Sequence, residues 1–516
     1  MDATVSVAQG ALQGRIADGV QEFLGVPYAA PPFGANRLRP PLPPQPWNGV
    51  RDATELGPEP PQVAPPSVGG PVGGVGESWA DVGAAFEAVQ RAASHEDCLN
   101  LNIWTPDPGA AGMPVLVWIQ GGMFELSSTA AYDGSRFARD GVVCVVINWR
   151  PGAEGFLYLA DGVANVGLLD QVAALEWVQD NIAAFGGDPG NVTVFGESAG
   201  AMSIGTLLSM PATKGLFRRA IAQSGAAHMV TPPEDALRVG HRLAQLMGVP
   251  STRDAIAAAG TDALLAAQAQ LKAELMSGPD PARWGLAMVV TTMPWQPVVD
   301  GDVVPGVPIE RIEAGAGADV DVLVGTNVDD WRLWLVVSGA IGKVTEEVLN
   351  GPVATYGYQS LASYGLEPNG PVVEAYRARY PGVPPGELLT KVQTDWWMRM
   401  PAIRLAEARL GGGAGTFMYE FAWPTPGLGA VHALEVPFVF DTLKPDAPLF
   451  GPLLGEHPPQ ALADTMHSSW VAFATTGDPG WPRYEASQRS TMRFDVTSLV
   501  VDDPRAWERA LWDGVR

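Results

Sequence analysis

Along most of the chain, short runs of consecutive apolar residues alternate with longer segments whose apolar positions recur at helical spacing. From residue 98 the runs CLNLNIW, PVLVWIQ and VVCVVIN follow one another, and a helical pattern over Val166 to Ala184 then leads into NVTVFGE. RAIAQSG at 219–225, DVLVGTN at 321–327 and TFMYEFAW at 416–423 continue the series, with helical stretches to about 275 and over 340–410. Uninterrupted apolar runs belong to strands covered on both faces, so the pattern predicts a largely parallel sheet between two layers of helices, an α/β fold. Before it, to about residue 50, short runs such as TVSVAQG and QEFLGVPYAA are broken by Gly and Pro, which predicts hairpins at a sheet edge. A helix from about Pro459 to Thr475 closes the pattern. With no internal repeat and no linker, residues 1–516 are expected to form a single domain with an inserted helical cap at about 340–410. Residues 56–80, rich in Pro, Gly and Val without helical periodicity, are expected to form a mobile loop.

Composition narrows the choice of partner. Hydrophobic residues make up 47% of the chain and charged ones 17%, enough for a large core and too little charge for disorder. The formal charge of -24 repels phosphate backbones and anionic lipids, so nucleic acid is not an expected partner. The two cysteines, Cys98 and Cys144, make no disulfide framework and no zinc-ligand spacing, which leaves them as small core residues. No run of 18 apolar residues occurs and MDATVSVAQG is not a leader pattern, so no membrane span is expected and the cytoplasm is the default location. A removed signal peptide would leave the same sequence. A monomer or weak homo-oligomer is expected.

Chemistry enters at the end of one strand. NVTVF runs directly into Gly196-Glu197-Ser198-Ala199-Gly200, followed by the helical AMSIGTLLSM. Strand, tight turn and helix are the setting of a nucleophile elbow, in which flanking glycines relieve crowding and the serine is held at a helix N-terminus. A Gly-rich packing motif that happens to flank a serine is the bland alternative. Glu197 either modulates the local field or caps the helix.

Further motifs stand in order along the chain: FLGVPYAAPP, EDCLNLNIWTP at 96–106, NVGLLDQVAALEWVQDNIAAFGGDP at 165–189, GESAG, GAVHALEVPFVF at 429–440 and WVAFATTGDP at 470–479. With them the chain resembles the type B carboxylesterase family, which includes the cholinesterases. That resemblance implies an α/β-hydrolase fold and ester cleavage through an acyl-enzyme, with Ser198 as nucleophile and a small-molecule ester as partner. Of the six histidines, His95 precedes the elbow, His228 and His241 follow it too closely to leave room for an acid, and His457 and His467 read as surface or packing residues. His432 matches the family's base in GAVHALE and is expected to titrate near 6–7. Where the family has Asp-Glu-Gly this chain reads Asp329-Asp330-Trp331, so the orienting acid is expected at Asp330, with Asp329 or Glu435 as alternatives. Resemblance maps the oxyanion donors to the backbone of Gly122, Met123 and Ala199, although Gln120 and Met123 depart from the usual His-Gly-Gly-Gly or His-Gly-Gly-Ala. It also implies the ion pairs Arg37 with Glu96 and Arg150 with Asp170.

No cofactor is expected, since GxGxxG after the first strand, GxxxxGK[ST] and HExxH are all missing. Amide or carbamate cleavage by the same three residues, and a non-catalytic binding protein on the same fold, remain as alternative functions. With 17 Trp and 15 Met, an apolar pocket is expected, and Trp331, Trp396 and Trp397 either line it or belong to the core.

Overall fold

A computed structural model describes residues 3–63, 95–351, 366–367, 370–447 and 449–515. The loop expected at 56–80 therefore lies outside the described residues from 64 onward. Strands β1 (Ala3–Val7), β2 (Gly10–Ala17), β3 (Val20–Pro27) and β4 (Val50–Asp52) open the chain, followed by β5 (Asn100–Thr105), β6 (Met113–Ile119), β7 (Val143–Ile147) and β8 (Gly187–Glu197). After them come β9 (Arg219–Gln223), β10 (Asp321–Asn327), β11 (Thr416–Phe421), β12 (Ser490–Phe494) and β13 (Leu499–Asp502). All belong to one sheet ordered β1-β2-β3-β5-β7-β6-β8-β9-β10-β11-β12-β13, with β4 beside β2.

The apolar runs fill the middle of this sheet for the expected reason. In β7, Val143, Val145 and Ile147 face one hydrophobic cluster while Cys144 and Val146 face another on the opposite side. β6 divides in the same way, with Val115, Val117 and Ile119 on one side and Leu116 and Trp118 on the other. Both faces are thus covered, and each fully buried side chain of this size contributes about 1.5–3 kcal/mol relative to exposure. From β7 across to β12 neighbouring strands run parallel. The flanks differ: β1, β2, β3 and β5 pair antiparallel up to β7, and β13 pairs antiparallel with β12.

Helix α1 (Val166–Asn181) precedes β8, and α2 (Ala199–Leu207) leaves it. Others important for the site are α3 (Thr261–Ser277), α4 (Arg332–Val337) and α5 (Gln460–Thr476). Helix α5 does not close the chain, contrary to expectation, because β12, β13 and the helix Ala506–Leu511 follow it. Those last strands are short and half-polar, with exposed Leu499 and Val500, so they carry no continuous apolar signal.

Both cysteines are free and buried. Arg150 and Asp170 form the expected pair, wholly buried, with Nε and Nη2 each 2.7 Å from the carboxylate. Arg37 does not take Glu96. It pairs with Glu154, its Nη2 2.6 Å from Oε1, because Glu154 is buried beside it while Glu96 is exposed. Among the described residues no helix is long and apolar enough to cross a membrane.

Candidate active site

The parallel strands β8, β9, β10 and β11 end together, with Glu197 opposite Gln223, Gln223 opposite Gly325, and Asn327 opposite Phe421. The carboxyl edge of such a sheet is where α/β folds gather their reactive groups. Ser198 sits on the turn from β8 into α2 with φ 55° and ψ −124°. Its N–H donates to the Gln223 carbonyl at 2.9 Å, and its own carbonyl accepts from Met202 N–H at 2.9 Å to start the helix. A non-glycine residue held at positive φ costs on the order of 1–3 kcal/mol, so the surroundings must enforce it. They do: a Cβ at Gly196 would lie 2.5 Å from the Ile119 carbonyl oxygen, and one at Gly200 only 1.9 Å from the same atom. The two glycines let the turn press against the end of β6.

Asp330 follows β10, and His432 lies in the loop after β11. Their side chains meet, with His432 Nδ1 2.7 Å from Asp330 Oδ1. The other oxygen of Asp330 accepts from Ser224 Oγ at 2.8 Å and from Asn327 N–H at 2.9 Å. Asp329 points elsewhere: its Oδ2 accepts from Ala430 N–H at 3.1 Å and braces the turn before the histidine. Glu435, the other alternative, holds strand ends together, accepting from Gln223 Nε2 at 3.2 Å and Asn327 Nδ2 at 2.6 Å. Burial pushes its carboxyl up to about 8, helped by the negative charges of Glu197 and Asp330.

Glu197 does not cap α2. Its Oε1 lies 2.8 Å from His432 Nε2, a close charge contact without the alignment of a good hydrogen bond. His432 is therefore flanked by a carboxylate at each ring nitrogen. Burial opposes its charged form, yet Glu197 and Asp330 outweigh burial and hold it well above its ordinary value. This corrects the sequence expectation of 6–7.

The loop after β6 reaches the serine because residue 121 has no side chain: a Cβ at Gly121 would stand 2.9 Å from Ser198 Cβ. Gly122, Met123 and Phe124 follow at φ 128°, 58° and 58°, three consecutive positive values. The Gly122 carbonyl accepts from Glu125 and Leu126 N–H, both at 2.9 Å, and Phe124 O accepts from Gly152 N–H at 2.7 Å. Among the described residues, the N–H groups of Gly122, Met123 and Ala199 donate to no backbone carbonyl. Gln120 stands where the family has His, and its Nε2 donates to Ser127 Oγ at 2.7 Å, tying the start of the loop to its far end. Ser127 is gripped in turn by Gln62, which accepts its N–H and donates to its carbonyl, both at 2.8 Å.

Trp397 is core, and Trp331 stacks on it at 4.4 Å and 15°. Two neighbours of the site escaped the sequence reading. Trp334, with its ring 4.6 Å from that of His432, stands four residues beyond Asp330, a one-turn spacing that was there to be read. Ser224 gave no local signal, since only the pairing of β9 with β10 brings it to Asp330. Of the other histidines, His467 is a packing residue, with Nδ1 2.7 Å from Val439 O and its ring against Phe137, while His95, His241 and His457 are exposed.

Comparison with known proteins gives a consistent picture. A family model described as Carboxylesterase family matches residues 1–512. The para-nitrobenzyl esterase of Bacillus subtilis (strain 168) is 34% identical over 520 residues, covering 98% of this chain and 97% of its own. The carboxylesterase 4A of Bos taurus is 33% identical and covers 96% of this chain and 90% of its own. The crystal structure of the Geobacillus stearothermophilus carboxylesterase EST55 at pH 6.2 superposes with a TM-score of 0.80 at 36% identity, covering 99% of both chains.

Proposed function

Because the chain belongs to the carboxylesterase family and is a carboxylic ester hydrolase, we propose that it works through an acyl-enzyme formed on Ser198, with His432 as general base and acid and Asp330 as its orienting acid. The observation that carries this reading is the 2.7 Å contact of Asp330 with His432 Nδ1 at strand ends adjacent to the strained Ser198 turn. Asp330, anchored by Ser224 and Asn327, fixes the imidazole tautomer with its proton on Nδ1, so that Nε2 is free to take a proton. Nε2 lies against Glu197 in the resting geometry and must reach Ser198 Oγ in the substrate complex, a tightening usual for catalytic hydrogen bonds.

In the first half-reaction, His432 accepts the hydroxyl proton as Ser198 Oγ attacks the ester carbonyl. The carbonyl oxygen becomes an anion, for which the N–H groups of Gly122, Met123 and Ala199 are the donors. His432 then gives its proton to the departing alkoxide as the carbon–oxygen bond breaks. Water repeats the sequence on the acyl-enzyme and releases the acid. Backbone donors suit the oxyanion because they need no reorganisation as charge develops.

Ser198→Ala is expected to lower kcat by at least about 10⁴ while the fold persists, since the covalent route is lost and the donors remain. A p-nitrophenyl phosphonate ester should label the parent once, at Ser198, and leave the variant unlabelled. Near-normal esterase activity in purified, folded Ser198→Ala would remove Ser198 from this role. A matched ester and anilide pair measures the preference for esters over amides.

A further inference from the structure

We propose that Lys272 and Glu125 form a positioning latch for the turn that presents the oxyanion donors; the proposal rests on the assignment of those donors to Gly122 and Met123. Lys272 projects from α3, and its Nζ lies 2.8 Å from Glu125 Oε1 and 2.7 Å from the Thr292 carbonyl. One ammonium group therefore joins three segments distant in sequence: the loop after β6, α3, and the end of the helix Leu286–Thr291. Glu125 N–H, with that of Leu126, closes the turn on the Gly122 carbonyl. The Glu125 side chain carries the turn's outward fixing and its backbone the inward one.

The turn needs such fixing. Three successive residues at positive φ, two of them with side chains, are held in a conformation that the local chain does not prefer. A peptide plane that rotates even slightly aims its N–H away from the oxyanion, where donor distance is the determining quantity. Both partners are partly solvated, at 27% and 24% exposure, and such pairs contribute little to global stability. An effect on the turn should therefore appear in catalysis without an equal effect on folding.

The test uses the full chain with p-nitrophenyl acetate. Lys272→Met is expected to lower kcat about tenfold, a fraction of the roughly 10²–10³ lost when a donor is removed outright, with KM within about twofold and Tm nearly unchanged. Lys272→Arg, which keeps the charge and reach, should recover kcat to within about threefold of the parent. Glu125→Met, which removes the acceptor oxygens, should match Lys272→Met, and combining the two should cost no more than either alone, because both break the same contact. If Lys272→Met fails to fold, Glu125→Met carries the test. A parental kcat in a folded single variant, or losses that multiply in the double variant, overturns the latch. The outcome for Ser198→Ala separates the two proposals: if that variant stays active the mechanism itself fails, whereas its inactivity beside a fully active Lys272→Met removes the latch alone.

Discussion

His432 has a carboxylate at each ring nitrogen, and under the proposed mechanism that arrangement sets the pH at which it serves as a base. Its value in the folded protein is raised, so the pair contacts stabilise the protonated ring fully below its ordinary value near 6.5, and that stabilisation is lost as pH rises through the raised value. The neutral, proton-accepting ring appears only above it. The acidic limb of kcat/KM against pH should therefore lie above 6.5, and Glu197→Gln should move it down by removing the charge at Nε2. A limb that stays put in the variant would mean that Glu197 does not set the value. The two adjacent aspartates are told apart by what they hold. Asp330→Asn disturbs the carboxylate on His432 Nδ1 and should lower kcat by on the order of 10³–10⁴, by analogy with the orienting acid of other triads. Asp329→Asn keeps an oxygen for Ala430 N–H and should stay within about tenfold. The reverse ranking, in folded protein, would transfer the role to Asp329.

At the scale of an element, the turn from Gly121 to Phe124 shows how a departure from family pattern is accommodated. Met123 occupies a left-handed position at φ 58°, where glycine is at ease, and its partly buried side chain packs against the larger of the two cores. Met123→Gly gives up that packing and relieves the backbone, while the N–H stays. Rates on a small acetate ester should remain within about tenfold of the parent, against the roughly 10²–10³ expected for a lost donor. The thermal midpoint should fall, because the packing lost by the thioether exceeds the strain relieved, a few tenths to about 1 kcal/mol. Met123→Ala should fall further, since it loses packing and keeps the strain. An unchanged midpoint together with a raised ratio of bulky to small ester turnover would place the thioether in the substrate pocket instead of against the core.

For the whole molecule, a net charge of -24 makes self-repulsion a term in stability, and salt screens it over about 10 Å at 0.1 M. Tm should rise by a few degrees between roughly 0.02 and 0.3 M NaCl, since the exposed ion pairs weakened by the same salt are individually worth little. A flat or falling Tm would show that ion pairs outweigh the net charge. The same scale separates what was legible in the chain from what was not. Uninterrupted apolar runs disclosed the central strands because burial on both faces leaves no polar position, as in β7, and the Gly-x-Ser-x-Gly pattern disclosed the elbow because Gly196 and Gly200 face the Ile119 carbonyl. Asp330 and His432 were reached through motif order, and the fold brings their side chains to 2.7 Å. The strands β12 and β13 stayed hidden because β13 is an exposed edge strand that needs no apolar period, and β12 beside it is short and mixes Ser490, Thr491 and Arg493 with its apolar residues. Arg37 was given the wrong partner, since a buried arginine takes whichever carboxylate is buried beside it, and only the fold decides that Glu154 is nearer than Glu96. Ser224 on Asp330, Glu197 on His432 and Lys272 on Glu125 are likewise contacts between segments 106, 235 and 147 residues apart. Local sequence carries periodicity and turn chemistry, which depend on neighbours along the chain, whereas the pKa of His432 and the ion pair of Lys272 with Glu125 depend on charges that meet only when the sheet has assembled.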